Sequence, residues 1–234
     1  MKTQLTILVT IVALFVSVQA KADTEFRELP SFSEISVRIP ANVYLEQGDE
    51  QSFELVAKSS TMEEIITEVK GRELVIRFAA KNYLFKDFTP GKIEIYITVP
   101  EIDALSLSGS GNIENDGPIE SRILDLSVSG SGDILLDDLK ANRVKATISG
   151  SGNIKIDGDG TADDLSVNLS GSGNFKGIGF ETTDVMVKIA GSGSADVHAV
   201  KNLNARIAGS GNVTYKGNPL VDQGIVGSGK VKEY

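Results

Sequence analysis

Seven times between residues 108 and 230 the chain returns to one phrase, a Gly-Ser-Gly flanked by small or polar residues. It reads SGSGN at 108–112, SGSGD at 129–133, SGSGN at 149–153 and again at 170–174, then AGSGS at 190–194, AGSGN at 208–212 and VGSGK at 226–230. The first glycines stand at 109, 130, 150, 171, 191, 209 and 227, so the spacings are 21, 20, 21, 20, 18 and 18 residues. A period near twenty is the mark of a solenoid, in which one unit cannot bury its apolar face except against its neighbours.

The phase of the side chains says what each unit is. Leu126, Val128, Gly130, Gly132, Ile134 and Leu136 share one parity, and Val144, Ala146, Ile148, Gly150, Gly152, Ile154 and Ile156 repeat it one unit later. The period of two passes through the glycines unbroken, which predicts extended backbone with one apolar face turned inward. Glycine weakens a strand interior, so a pair of them on the inward parity predicts a tight corner whose inside has no room for a β-carbon. All six prolines lie at 30, 40, 90, 100, 118 and 219. Residues 119–218 are therefore free to bond on both strand edges, which a residue without an N–H would prevent. At about 4.8 Å per strand, seven coils make a rod of about 34 Å. Because parallel crossovers turn right-handed, the expected fold is all-β, a right-handed parallel β-helix of about seven coils of 18–21 residues.

The flanks differ. Residues 1–22 read as a signal peptide: Lys2, a 14-residue apolar run from Leu5 to Val18, and small residues at Ala20 and Ala22. Ten of the fourteen aromatics lie before residue 101, nine of them in residues 23–100, which hold only three glycines and predict a β-rich cap with degenerate first coils, Pro40-Ala41-Asn42 standing where later units carry Ser-Gly-Asn. Within it, 60–69 predicts a short helix. Residues 101–234 form the glycine-repeat solenoid, and its closing GKVKEY charges the last strand, a device that blunts an open edge.

Composition excludes several chemistries. With no cysteine and a single histidine, His198, there is neither a thiol nucleophile nor a Cys/His metal site. Without the leader's two lysines, 21 basic face 32 acidic residues, a net charge of −11 that repels phosphate backbones, so no nucleic-acid partner is expected. Polysaccharide-cleaving enzymes need a positioned pair of carboxylates, and the repeat singles out none, so no catalytic residue and no cofactor is assigned. Counting seven residues from each first glycine, however, gives Asp116, Asp137 and Asp157, a column expected at strand spacing. Like charges so stacked repel; they either splay into water or hold an oxygen-seeking cation such as Ca²⁺. His198, at the same offset, is expected to face solvent. The stripe of corner serines, among them Ser131, Ser151 and Ser172, and the aromatic run with Tyr83, Phe85 and Phe88 are the candidate contact surfaces.

The signal segment, the opening FSEISVRIPANVYLEQGDEQSFEL, the VPEIDAL junction at 99–105 and the reiterated SGSGNI phrase resemble the putative auto-transporter adhesin, head GIN domain family. The resemblance implies a β-helical solenoid exported to the bacterial cell envelope, in the periplasm, at the outer membrane or outside the cell, with an adhesive role and no catalytic residues. The function expected is therefore a non-enzymatic, adhesin-like module acting by surface contact on an envelope or extracellular ligand, a glycan or a protein. A carbohydrate-active β-helix enzyme and a purely structural envelope scaffold are the alternatives.

Overall fold

The computed structural model describes residues 22–79 and 89–234. Apart from one short helix, its regular elements are strands, stacked in parallel coils. Each coil has a long strand that ends at the first glycine of a corner and a short strand that begins after the second. Ile119–Gly130, Leu139–Gly150 and Thr161–Gly171 are successive long strands; Asp133–Asp137 and Asn153–Asp157 are short ones. They pair in parallel and in register, Val128 with Ile148 and Ile148 with Leu169, Ile134 with Ile154. The corner glycines stack likewise, Gly130 on Gly109 and so on up to Gly227 on Gly209. Seven corners thus bound six turns of solenoid. In the later coils the short and long strands merge into the continuous strands Asn174–Gly191 and Ser194–Gly209.

The inward parity read from the sequence is the buried one. Leu124, Leu126, Val128, Ile134 and Leu136 are each at most 1% exposed. One apolar cluster runs without a break from Phe32 to Val213, through the cap as well as the repeats. Each fully buried Leu or Ile in it contributes about 1.5–3 kcal/mol relative to exposure.

The N-terminal end departs from chain order. Glu34–Val37 pairs on one side with Ala104–Gly109 and on the other with Glu73–Phe78, and Asn42–Gln47 lies likewise between Asn112–Asn115 and Glu94–Val99. The first coil of the chain is therefore second in the stack, and the coil made by 73–99 lies outside it. Register places Asn42 on Asn112, so Pro40-Ala41-Asn42 does occupy the corner position. Antiparallel strands then close this end: Ile65–Lys70 on Glu73–Phe78, Ser52–Ala57 on Glu94–Val99, and Asp23–Phe26 on Ser52–Ala57. Arg27 seals it by donating to the carbonyl of Ile65 at 2.9 Å and to Thr67 Oγ1 at 3.2 Å. The helix expected over 60–69 is confined to Ser59–Met62; the following residues form strand Ile65–Lys70, whose β-branched Ile65, Ile66 and Thr67 suit a pleated surface.

The corners also correct the expectation of two inward glycines. In the first six pairs only the second glycine is buried, and in the last pair Gly229 is half-buried; the first glycine is half-exposed or exposed throughout. Gly130, Gly150 and Gly171 have φ of +124°, +124° and +119°, backbone that an L-residue rarely adopts. A β-carbon on Gly150 would lie 2.5 Å from the carbonyl oxygen of Gly130, one coil below. That oxygen accepts from both Ser151 N–H, at 2.8 Å, and Gly152 N–H, at 3.0 Å. The excluded space is thus taken by the neighbouring coil's backbone. The interior crowds only the second glycine: a β-carbon on Gly152 would meet Val128 Cγ1 at 2.7 Å.

Candidate contact surface

Outside the core the coils present columns of side chains in register. The corner serines Ser131, Ser151 and Ser172 are exposed as expected, together with Ser110, Ser192, Ser210 and Ser228, and form one stripe along the solenoid. Their N–H groups hold the stack, so the hydroxyls are what they offer to solvent. The residue after each second glycine builds a ladder the sequence reading did not assign. Asp133 Oδ1 accepts from Asn153 N–H at 2.8 Å and Asn153 Nδ2 at 2.7 Å, and Asn153 Oδ1 accepts from Asn174 Nδ2 at 2.9 Å. Asn174 Oδ1 in turn accepts from Ser194 N–H at 3.1 Å. The recurrent Asn or Asp after Ser-Gly was its signal.

The expected column of three carboxylates is not assembled. Asp137 and Asp157 are register partners, but strand Asn112–Asn115 stops one residue before Asp116. The side chain of Asn115 takes over the ladder, accepting from Asp137 N–H at 2.7 Å and donating to its carbonyl at 2.9 Å. Asp116 is left exposed, its N–H bonded to the carbonyl of Leu45. Lys155 relieves the repulsion between the other two. Its ammonium bonds the Asp157 carboxylate, which raises its pKa, and the charge of Asp137 adds to that. Among the described residues no group of three or more His, Asp or Glu is placed to hold a metal ion.

His198, expected in solvent, is half-buried, in register with Glu181 below and Lys216 above, and its Nδ1 is buried without a hydrogen-bond partner among the described residues. Burial lowers its pKa, Lys216 lowers it further, and Glu181 opposes both. Tyr83, Phe85 and Phe88 lie outside the described residues, as does the leader up to Lys21. A different aromatic pair stands on the short-strand face: Tyr44 and Tyr96, opposed by register, stack with centroids 5.0 Å apart.

A shallow groove of about 900 Å³ lies on the outer side of the long-strand sheet. One of its walls is a single unbroken column, Ile123, Arg143, Asp164, Asp184, Asn202 and Leu220, one residue from each of six coils. At strand spacing it extends about 24 Å. The polar members are paired along it: Arg143 Nε lies 3.8 Å from Asp164, and Asn202 Nδ2 donates to Asp184 at 2.5 Å. Exposed Met186, in register with Ser166 and Asn204, supplies an apolar floor.

A parallel stack of coils with columnar outer faces defines a repeat protein of the β-solenoid class. The match of residues 31–219 to the putative auto-transporter adhesin, head GIN domain shows that the chain belongs to that family. Solved structures share the fold. A putative adhesin from Bacteroides fragilis is 22% identical, with a TM-score of 0.85 over 92% of this chain and 97% of its own. A putative adhesin from Parabacteroides distasonis is 27% identical, with a TM-score of 0.71 over 92% of this chain and 98% of its own. A putative lipid binding protein from the same organism is 24% identical, with a TM-score of 0.75 over 92% and 98%. No curated protein matches the chain.

Proposed function

We propose that the protein is an exported, non-enzymatic binding module that acts by surface contact at the cell envelope, in the manner its family name describes. The observation that carries this reading is the groove's wall: six coils contribute one residue each to a continuous line of about 24 Å. Such a line suits an extended ligand, a glycan chain or a protein segment, better than a small molecule, which an enclosed pocket would hold. One ion pair and one hydrogen bond already satisfied along the line leave exposed apolar side chains such as Ile123 and Met186 as the contact chemistry. Family membership and the adhesin-named neighbours support the same reading, and they support export. An enzyme would need a base and an acid converging on one point; of the groove's carboxylates, Asp164, Asp184 and Asp222 are engaged by Arg143, Asn202 and Arg206 instead.

Binding to a glycan array and to surface-protein fractions tests this. Wild-type protein is expected to retain a ligand that Met186→Glu and Asp184→Lys lose at least tenfold, with folding unchanged. Retention that is indifferent to both substitutions would remove the groove from the account.

A further inference from the structure

The two ends of the solenoid are finished differently. At the C-terminal end the inward columns continue into the coil of Leu220–Gly227 and Lys230–Glu233, which among the described residues pairs only with the coil below. Leu203 and Ile207 are 1% and 2% exposed, whereas Val221 and Ile225, stacked on them, are 39% and 38% exposed. Leu220 and Val226, on the outer side of the same strand, are 79% and 77% exposed. The short edge strand Lys230–Glu233 is protected: Lys230 and Lys232 charge it, and Glu233 sits in the inward column above Tyr215. The long edge strand Leu220–Gly227 has no such protection. Its one charge, Asp222, is held by Arg206 at 2.6 Å.

We propose that this open long edge is a homodimer interface, in which Leu220–Gly227 pairs antiparallel with the same strand of a second copy about a two-fold axis at Gln223. Residues directly opposite in an antiparallel pair face the same side of the sheet, so the axis must fall on a residue. Centred on Gln223, Val221 meets the partner's Ile225 on the inner side, Leu220 meets the partner's Val226 on the outer side, and Asp222 meets the partner's Gly224. Every large apolar residue of the strand then faces another, and no charges oppose. The inward amide of Gln223 faces its own copy, and a carboxamide both donates and accepts, so the pair satisfies itself. Centring on Gly224 instead sets that amide against Ile225 and leaves it unpaired. An isologous pair uses this edge in both copies, and the N-terminal end carries antiparallel strands and Arg27 rather than a matching parallel edge. The assembly therefore stops at two, as isologous interfaces do. It would present two grooves at once, which raises avidity without a new contact.

The experiment is sedimentation of the full exported protein over a concentration series, joined to cysteine cross-linking in a chain with no native cysteine. Wild type is expected to sediment at twice the chain mass. Ile225→Glu is expected to sediment as a folded monomer, its circular dichroism unchanged because that side chain is already part-exposed. Under mild oxidation Gln223→Cys is expected to cross-link to completion, since directly opposed Cα atoms stand within disulfide reach, and Gly224→Cys is not. A monomer at every concentration, a dimer indifferent to Ile225→Glu, or cross-linking at Gly224 in preference to Gln223 would each overturn the proposal.

Discussion

At the glycine corner each repeat turns with the same Gly-Ser-Gly, and each turn lies directly on the one below it. The opposite corner, where the short strand gives way to the next long one, obeys no such rule. Between Asp137 and Leu139 a single residue, Asp138, makes the turn at φ 51°. Between Asp157 and Thr161 three residues make it, and in Asn174–Gly191 the strand passes through with a register shift between Gly177 and Glu181. The comparison separates two jobs. One corner carries the register of the stack through backbone hydrogen bonds that admit no side chain. The other absorbs the change in repeat length from 21 to 18 residues.

Substitutions can break that division, and the greatest effect is expected at the glycine corner. Gly152→Val would press against both the Gly132 carbonyl and Val128. It is expected to cost about 4 kcal/mol or more, or to prevent folding, read from denaturant unfolding or soluble yield. Insertions come next. One glycine added after Gly158 lengthens a turn already variable in length and is expected to cost under about 1 kcal/mol. The same glycine added after Ser151 shifts every inward residue of a strand outward, and a large loss of unfolding free energy is expected.

A smaller effect should sharpen the view of the variable corner. His198 stands at the offset held by Asp137 and Asp157 in earlier coils, and its pKa is lowered in the folded state. The unfolded chain then binds more protons than the folded one near and below the ordinary histidine value of about 6.5. Stability is expected to be fully present above that value and to fall as pH drops through it. Melts at pH 7.5 and pH 5.5 should show this, and His198→Gln should flatten that part of the profile.

Much of the fold is legible in the residues because strand parity is a local signal. Leu126, Val128 and Ile134 announce their burial by alternation alone, and the Gly-Ser-Gly spacing announces the stack. What parity cannot show is which atom occupies the space a β-carbon would need. Gly130 and Gly132 share a parity, yet one is set by the coil below and the other by the core as well. Nor does it show the order of stacking at the cap, where Glu34–Val37 enters between strands that follow it in the chain. The carboxylate column failed for a nearer reason: counting residues assumes the strand persists, and Asn112–Asn115 ends just before Asp116. The groove was hidden because its column, from Ile123 to Leu220, repeats a residue type only once, at Asp164 and Asp184.

Replacing Gly150 and Ser151 by alanine one at a time, and comparing thermal unfolding, puts the corner to the test. Ser151 is exposed and contributes only its N–H to the stack, so Ser151→Ala is expected to stay within about 0.5 kcal/mol of wild type. Gly150→Ala adds one methyl group at φ +124°, 2.5 Å from the Gly130 carbonyl. It is expected to cost about 2–4 kcal/mol, a fall of about 5–10 °C in Tm. Equal melting temperatures for the two variants would contradict a stack set by glycine backbone.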